Sequence, residues 1–190
     1  VLESNPLLES FGNAQTVRND NSSRFGKFTQ LHFHQQAGKK PVLVGSKCDT
    51  YLLEGSRVVH HSMGERGFHV FYQLLAAPEE VKARVGLSGK TVKDFHYMVC
   101  DHGGSKTSEI EGESDSVRFQ ATAHALSLVG LETEEQEQLW GVLAGILHLG
   151  QVQFQGEEGT SGDEEARIKE AASDESGGGA LEQAAALLLG

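Results

Sequence analysis

The segment Thr133–Leu149 constrains the fold most. Leu139, Val142, Leu143, Ile146 and Leu147 recur there at helical spacing and make one apolar stripe. A helix with such a stripe must bury it against other elements, so the chain has to supply partners for that face. Thr133 and Gln136 have the spacing of a capping box at its start. Asn5-Pro6 before Leu7, Leu8, Phe11 and Gly12 reads as a short helix, with Asn5 as N-cap, Pro6 in the first turn and Gly12 as the stop. Ser62 and Glu65 have capping-box spacing ahead of Phe68, Phe71, Tyr72 and Leu75, which form a core-facing stripe. Pro78 starts another short helix, and Ser114–Leu128 and Ala180–Leu189 read as helices too.

Strand-like patterning is confined to a few places. Phe28, Leu31 and Phe33 alternate imperfectly with polar residues, and Val42–Val44 and Tyr51–Leu53 form a second run, with a turn at Gly38 between. A two-stranded antiparallel ribbon fits. Gln151–Gln155 is also strand-like.

At 190 residues the chain is one domain or part of a larger one, and 38% hydrophobic content with 23 glycines implies ordered elements joined by polar connections. The net charge is −11, and residues Gln151–Gly190 hold nine acidic and two basic side chains. Such a charge excludes nucleic acid and an anionic membrane surface as partners. No apolar run is long enough to cross a membrane, and no signal peptide is visible. Cys48 and Cys100 are too few for a disulfide framework, which favours a reducing, cytoplasmic setting. Val1 is not an initiator methionine and Gly190 directly follows a helical run, so both ends read as cut inside a domain.

The chemistry lies in Asn13–Ser23, a polar loop with no hydrophobic period, and the residues just after it. Ser22 and Ser23 put two hydroxyls before a strand, preceded by Asn19 and Asn21 and followed by Arg24 and Gly26. Hydroxyl oxygens suit Mg²⁺, amides and backbone N–H groups suit phosphate, and arginine pairs with carboxylates in a fork. A loop so equipped can order around a metal-bound phosphate and relax when it leaves. The same composition also suits an ordinary Asn/Ser turn.

Other features carry less. Gly89-Lys90-Thr91 lacks the glycine a phosphate-binding loop needs at position 84, which is Arg84, and Gly104-Ser105-Lys106-Thr107 has Ser105 where glycine should precede the lysine. Asn21-Ser22-Ser23 is formally a glycosylation sequon. His32 with His34, and His60 with His61, are too few ligands for a transition metal.

The run Asn5–Lys27 resembles the switch I region of myosin motors almost residue for residue. Tyr51–Val59, Gly64–Leu75, Ile146–Gly150 and Ala180–Ala185 resemble later landmarks of that motor in the same order. The resemblance covers most of the chain and is weakest at 81–113 and in the acidic stretch. It implies an α/β fold of the P-loop NTPase class, mostly helical here with a few strands. It divides the chain into a switch I region and strand (1–34), a transducer-like strand region (41–59), a helical upper subdomain (62–155), an acidic flexible loop (156–179) and a truncated helix (180–190).

The resemblance also implies roles. Ser23 matches the hydroxyl that ligates Mg²⁺, Ser22 the residue that holds the attacking water, and Asn19 an amide contacting the phosphates of ATP. Asn21 falls in the same nucleotide-binding set. Arg24 matches the arginine that pairs with a switch II glutamate, and Gly26 permits close backbone packing. Gln15 and Asp20 occupy tolerant positions. The phosphate-binding lysine and the switch II glutamate are expected outside this chain, so the piece should not hydrolyse ATP alone. Actin filaments are the implied partner and the cytoskeleton the implied location, with light chains or calmodulin bound through other regions. A non-catalytic remnant serving as an interaction module is the alternative.

Overall fold

A computed structural model describes residues 4–99, 109–158, 164–168 and 179–189. Cys100, the segment Gly104–Thr107 and most of the acidic stretch lie outside these residues. The elements run in chain order as α1 (Asn5–Gly12), β1 (Asn13–Ala14), β2 (Ser22–Ser23), β3 (Gly26–His34), β4 (Val42–Tyr51), α2 (His69–Leu75), α3 (Glu79–Arg84), β5 (Glu109–Ile110), β6 (Glu113–Ser114), α4 (Asp115–Leu128), α5 (Thr133–Leu149), β7 (Phe154–Glu158), β8 (Glu164–Ile168) and α6 (Ala180–Leu189).

The core forms around α2, all seven residues of which are buried. It packs against α1 and α4, and α4 in turn meets α5. Leu74, Leu87, Leu126 and Leu147 are almost fully buried, each contributing on the order of 1.5–3 kcal/mol. The Phe119 and Trp140 rings, 5.2 Å apart and tilted, join α4 to α5. Some of the polar groups that enter this core are paired. Thr122 donates its hydroxyl proton to Gln73 Oε1 at 2.8 Å. Arg66 lies over the Tyr72 ring at 3.7 Å and pairs with Asp115 at 2.7 Å.

Helix starts follow local chemistry, though not always the chemistry read from spacing. Ser114 caps α4 by accepting the Val117 N–H. At α5 the capping box is formed by Glu132 and Glu135, not by Thr133 and Gln136. Glu132 stands one residue ahead and its side chain accepts the Glu135 N–H, while the Gln136 N–H that a Thr133 cap would need already donates to Glu132 O at 3.0 Å. No helix begins at Ser62. The chain makes a turn there, with Glu65 N–H donating to Ser62 O, and α2 starts only at His69. Glu65 is drawn away into an ion pair with Arg57. Asn5 is itself helical and Gly12 closes α1 from inside, with Asn13 as the capping residue beyond it.

Strands β3 and β4 pair antiparallel from Gly26↔Tyr51 to His34↔Val42, with a register shift between His32 and Phe33. This is the ribbon the alternation predicts. Beyond Gly26, every residue of both strands is exposed.

The acidic stretch departs from the loop expected over 156–179: β7 extends to Glu158 and pairs with β8. The terminal helix is not unpartnered either. α6 lies along α5, and Gly145 makes room for it: a Cβ there would fall 2.8 Å from Leu188 Cγ. Among the described residues no helix is long and apolar enough to cross a membrane.

Candidate functional site

The polar loop at Asn13–Ser23 is closed at its base. β1 pairs antiparallel with β2, Asn13 opposite Ser23 and Ala14 opposite Ser22, and Arg24 N–H donates to Gly12 O at 2.8 Å. Its tip is a tight turn in which Thr16 N–H and Oγ1 both donate to Asn19 O, while Asn19 N–H donates to Thr16 Oγ1. A bridge from Ala14 to Phe68 and a hydrogen bond from Arg66 N–H to Gln15 O tie the first arm to the segment entering α2. Two glycines permit close approach. A Cβ on Gly12 would meet the Phe25 ring at 2.2 Å, and one on Gly26 would meet the Tyr51 ring at 2.4 Å.

Asn21 faces inward. Its Nδ2 donates to Glu9 Oε2 at 2.9 Å and Glu111 Oε2 at 3.2 Å. Its Oδ1 accepts from Asn13 Nδ2 at 3.0 Å and meets His69 Nε2 at 3.1 Å. Two carboxylates on Nδ2 fix the amide orientation, and the amide oxygen in turn requires the His69 proton on Nε2. Glu111 reaches this point from the turn of the β5–β6 hairpin, where Glu111 and Gly112 both take the positive φ of a two-residue loop. Burial, seconded by the charges of Arg66 and Arg118, pushes the His69 pKa down to about 3, so the ring stays neutral. Gln15, expected to be tolerant, is buried and donates to Asp20 Oδ1 at 3.2 Å.

The opposite side of the loop opens on a cleft of about 360 Å³ lined by Asn19, Ser22, Arg24, Arg57, Glu65 and the Thr16–Arg18 turn. Of the residues singled out in the sequence, the cleft thus gathers Asn19, Ser22 and Arg24. Ser23 is exposed outside it and donates its hydroxyl proton to Phe25 O at 3.0 Å. Asn21 is held inward, and Gly26 lies under Tyr51. Arg24, expected to depend on a glutamate beyond the chain, pairs here with Glu54: Nε to Oε2 is 2.5 Å, and Arg24 NH1 donates to Ser22 Oγ at 3.4 Å.

Glu54 is itself gripped by Arg57, Nε to Oε2 at 2.8 Å and NH2 to Oε1 at 3.3 Å. Arg57 NH1 also donates to Glu65 Oε2 at 3.0 Å and Arg66 O at 3.2 Å, and Val17 N–H donates to Glu65 Oε1 at 3.5 Å. Hydrogen bonds from Arg57, joined by Arg24, hold Glu54 below the usual carboxylate range against the effect of burial. Burial opposes the Arg57 charge, but Glu54 and Glu65 outweigh it and raise its pKa. Spacing did not single out this network. Glu65 read as a capping residue, and Glu54 and Arg57 stood out only as parts of a matching segment.

The model of the family described as myosin head (motor domain) matches residues 1–185. The chain belongs to the myosin head family. It is similar to a myosin-J heavy chain of Dictyostelium discoideum, 45% identical over 164 residues, which are 86% of this chain and 7% of that protein. It is also similar to a myosin-6 of Arabidopsis thaliana, 46% identical over 159 residues, 83% of this chain and 10% of that protein. A myosin-2 of Lachancea kluyveri is 44% identical over 155 residues, 81% of this chain and 9% of that protein. The chain therefore spans a tenth or less of the length of these relatives. Myosin heads share a P-loop NTPase-like fold, and the mixture of helices and small strands here agrees with that class.

The residues of this myosin segment fit a nucleotide's phosphates in chemistry. Arg18, Arg24 and Arg57 line or border the cleft beside Glu65, with Arg24 and Arg57 paired to Glu54 and Glu65, and Asn19, Ser22 and Thr16 supply short polar groups. Ser23 Oγ keeps its lone pairs exposed and offers one hard oxygen. That matches Mg²⁺, which takes few protein ligands and keeps several waters. No cluster of three or more His, Cys, Asp or Glu side chains able to hold a metal occurs among the described residues.

Proposed function

We propose that this segment supplies switch I, the γ-phosphate-sensing loop, of an actin-based motor that couples Mg-ATP binding and hydrolysis to movement on actin filaments. One observation carries the reading. Asn19, Ser22 and Arg24 converge on one cleft, on a loop whose other side is tied to the core through Asn21.

In this reading Asn19 hydrogen-bonds phosphate oxygens and Ser22 Oγ holds the attacking water. Ser23 Oγ gives Mg²⁺ a protein oxygen, and the bound ion neutralises phosphate charge. The Arg24 guanidinium pairs with a carboxylate when the loop closes, completing a water-excluding wall. Gly26 lets the strand after the loop pass close under Tyr51. On this reading the phosphate-gripping lysine belongs to another part of the motor, so the segment alone does not hydrolyse ATP. Actin is the partner of the whole motor, and light chains or calmodulin bind it through other regions. The cytoplasm and cytoskeleton are its place of work.

The test is Arg24→Glu in the complete motor polypeptide. Actin-stimulated ATP turnover should drop about 100- to 1,000-fold, the scale for removing a transition-state charge partner. Near-normal turnover would overturn the reading.

A further inference from the structure

We propose that Glu54 is a resting carboxylate for Arg24, which competes for the Arg24 Nε when the loop closes on nucleotide. The inference rests on the switch I reading above and adds a competitor for its key cation.

The geometry supports a parking place rather than a fixed structural bridge. Glu54 does not need Arg24 to stay ionised or in position. Arg57 holds both its oxygens, at 2.8 and 3.3 Å, and the Arg57 side chain is only 6% exposed. Arg57 is in turn fixed by Glu65 and the Arg66 carbonyl. Hydrogen bonding from Arg57 is also the largest influence keeping the Glu54 pKa low.

Arg24 is bound differently. It meets Glu54 through Nε alone, its side chain is 27% exposed, and its NH1 makes only the long 3.4 Å contact to Ser22 Oγ. Its departure therefore breaks one charge-assisted hydrogen bond in a solvent-accessible place and leaves Glu54 satisfied. The contact is short, 2.5 Å, but both side chains are partly exposed, at 27% and 35%, so water and a rival carboxylate can reach it and replace it. Glu54 occupies Nε, so a second carboxylate can take the Nε–NH2 fork of Arg24 only when Glu54 gives Nε up; the pairing therefore competes for that fork and leaves the terminal N–H groups free to begin the exchange.

The backbone couples this to the loop. Glu54 N–H donates to Arg24 O at 3.0 Å, so the two residues stay adjacent whichever way the side chain points. The chain Glu54–Arg57–Glu65 ends at the Val17 amide, in the tip of the same loop. The rest position thus touches the loop at both arms. Glu54 acts through Arg24 and is a positioning residue.

The experiment compares Glu54→Gln, Arg24→Ala and the double variant with the unaltered complete motor, by single-turnover quench-flow with Mg-ATP. Glutamine keeps an oxygen for Arg57 and removes the charge that attracts Arg24. Glu54→Gln should raise the ratio of bound products to bound ATP about 3- to 10-fold, the range for losing one weak charged contact. ATP affinity should stay unchanged, and in the Arg24→Ala background Glu54→Gln should have no further effect. Glu54→Asp, which keeps a charge beside Arg57 on a shorter arm, should shift the ratio the same way by less, and serves if the glutamine variant folds poorly. An equal effect of Glu54→Gln with and without Arg24, or a fall in the ratio, would overturn the proposal while leaving the switch I reading intact. Normal turnover in Arg24→Ala would instead defeat the switch I reading, and this inference with it.

Discussion

The two faces of the Asn13–Ser23 loop use similar residues for opposite ends. Inward, Asn21 spends its amide on Asn13, Glu9, Glu111 and His69, and none of it is left for a ligand. Outward, Asn19, Ser22 and Arg24 face a cleft: the Asn19 side-chain oxygen accepts the Asn21 N–H at 2.9 Å, Arg24 meets Glu54 through Nε, and its contact to Ser22 Oγ is a long 3.4 Å. Identical chemistry anchors where burial makes an unmet hydrogen bond costly, and waits where water can substitute. The outward residues can respond to a ligand because the inward ones cannot move freely.

That contrast can be broken first at Asn21. Asn21→Ala takes the side-chain partner from the His69 ring and leaves the Asn13 amide only its 3.4 Å bond to the Asn21 carbonyl, and should loosen the loop by about 1–3 kcal/mol. Hydrogen exchange at the amides of residues 13–23 in the complete motor should show the lost protection. Unchanged protection would mean that the anchor lies elsewhere.

Acid should do the same more gradually. His69 has its pKa pushed down to about 3 in the folded chain, below its ordinary 6.5, so the unfolded or opened state binds the extra proton. Stability from this group is present above pH 6.5 and is lost as pH falls toward 3. Between pH 7 and 5 the loss should be about 2 kcal/mol. The check is the same exchange experiment, corrected for intrinsic rates; a flat profile would refute the buried neutral ring.

Ser23→Ala sharpens the other face. Protection of the loop should change by less than about 0.5 kcal/mol, since the Ser23 hydroxyl contact to Phe25 O is exposed. The Mg²⁺ dependence of turnover should nevertheless shift. An unchanged metal dependence would remove Ser23 from the metal site.

The caps give the last comparison. Glu132→Ala should cost about 1 kcal/mol and Ser62→Ala less, because only Glu132 begins a helix. Comparing the thermal unfolding of the two variants distinguishes them.

A second contrast, between the helical core and the β3–β4 ribbon, shows what patterning reveals. The stripe of α5 and the Phe68–Leu75 face predicted burial, and Phe68, Phe71, Tyr72, Leu75, Leu143 and Leu147 are buried; Leu139 and Ile146 are only partly so, and Val142, at the edge of the stripe, is 42% exposed. The ribbon's alternation predicted pairing and its partner strand, yet Phe28, Phe33, Val42 and Val44 remain exposed. Periodicity within a segment records its own geometry; burial depends on what else packs there.

The site was legible to a similar depth. Asn19, Ser22 and Arg24 stood out by composition and by the family pattern, and they share the cleft. Glu54, Arg57 and Glu65 were not visible as partners, because a salt bridge between residues 30 apart leaves no local signature. The inward turn of Asn21 was hidden for the same reason: Glu9, His69 and Glu111 come from three other elements.

The sequence by itself determined the helices, the ribbon, the polar loop and membership of the myosin head family, since all of these are written in short-range periodicity and contiguous pattern. Only the tertiary structure decided which side of the loop is anchored and which is open, and that Arg24 rests on Glu54. Those choices depend on burial and on charges brought together from distant segments, and neither exists until the chain has folded.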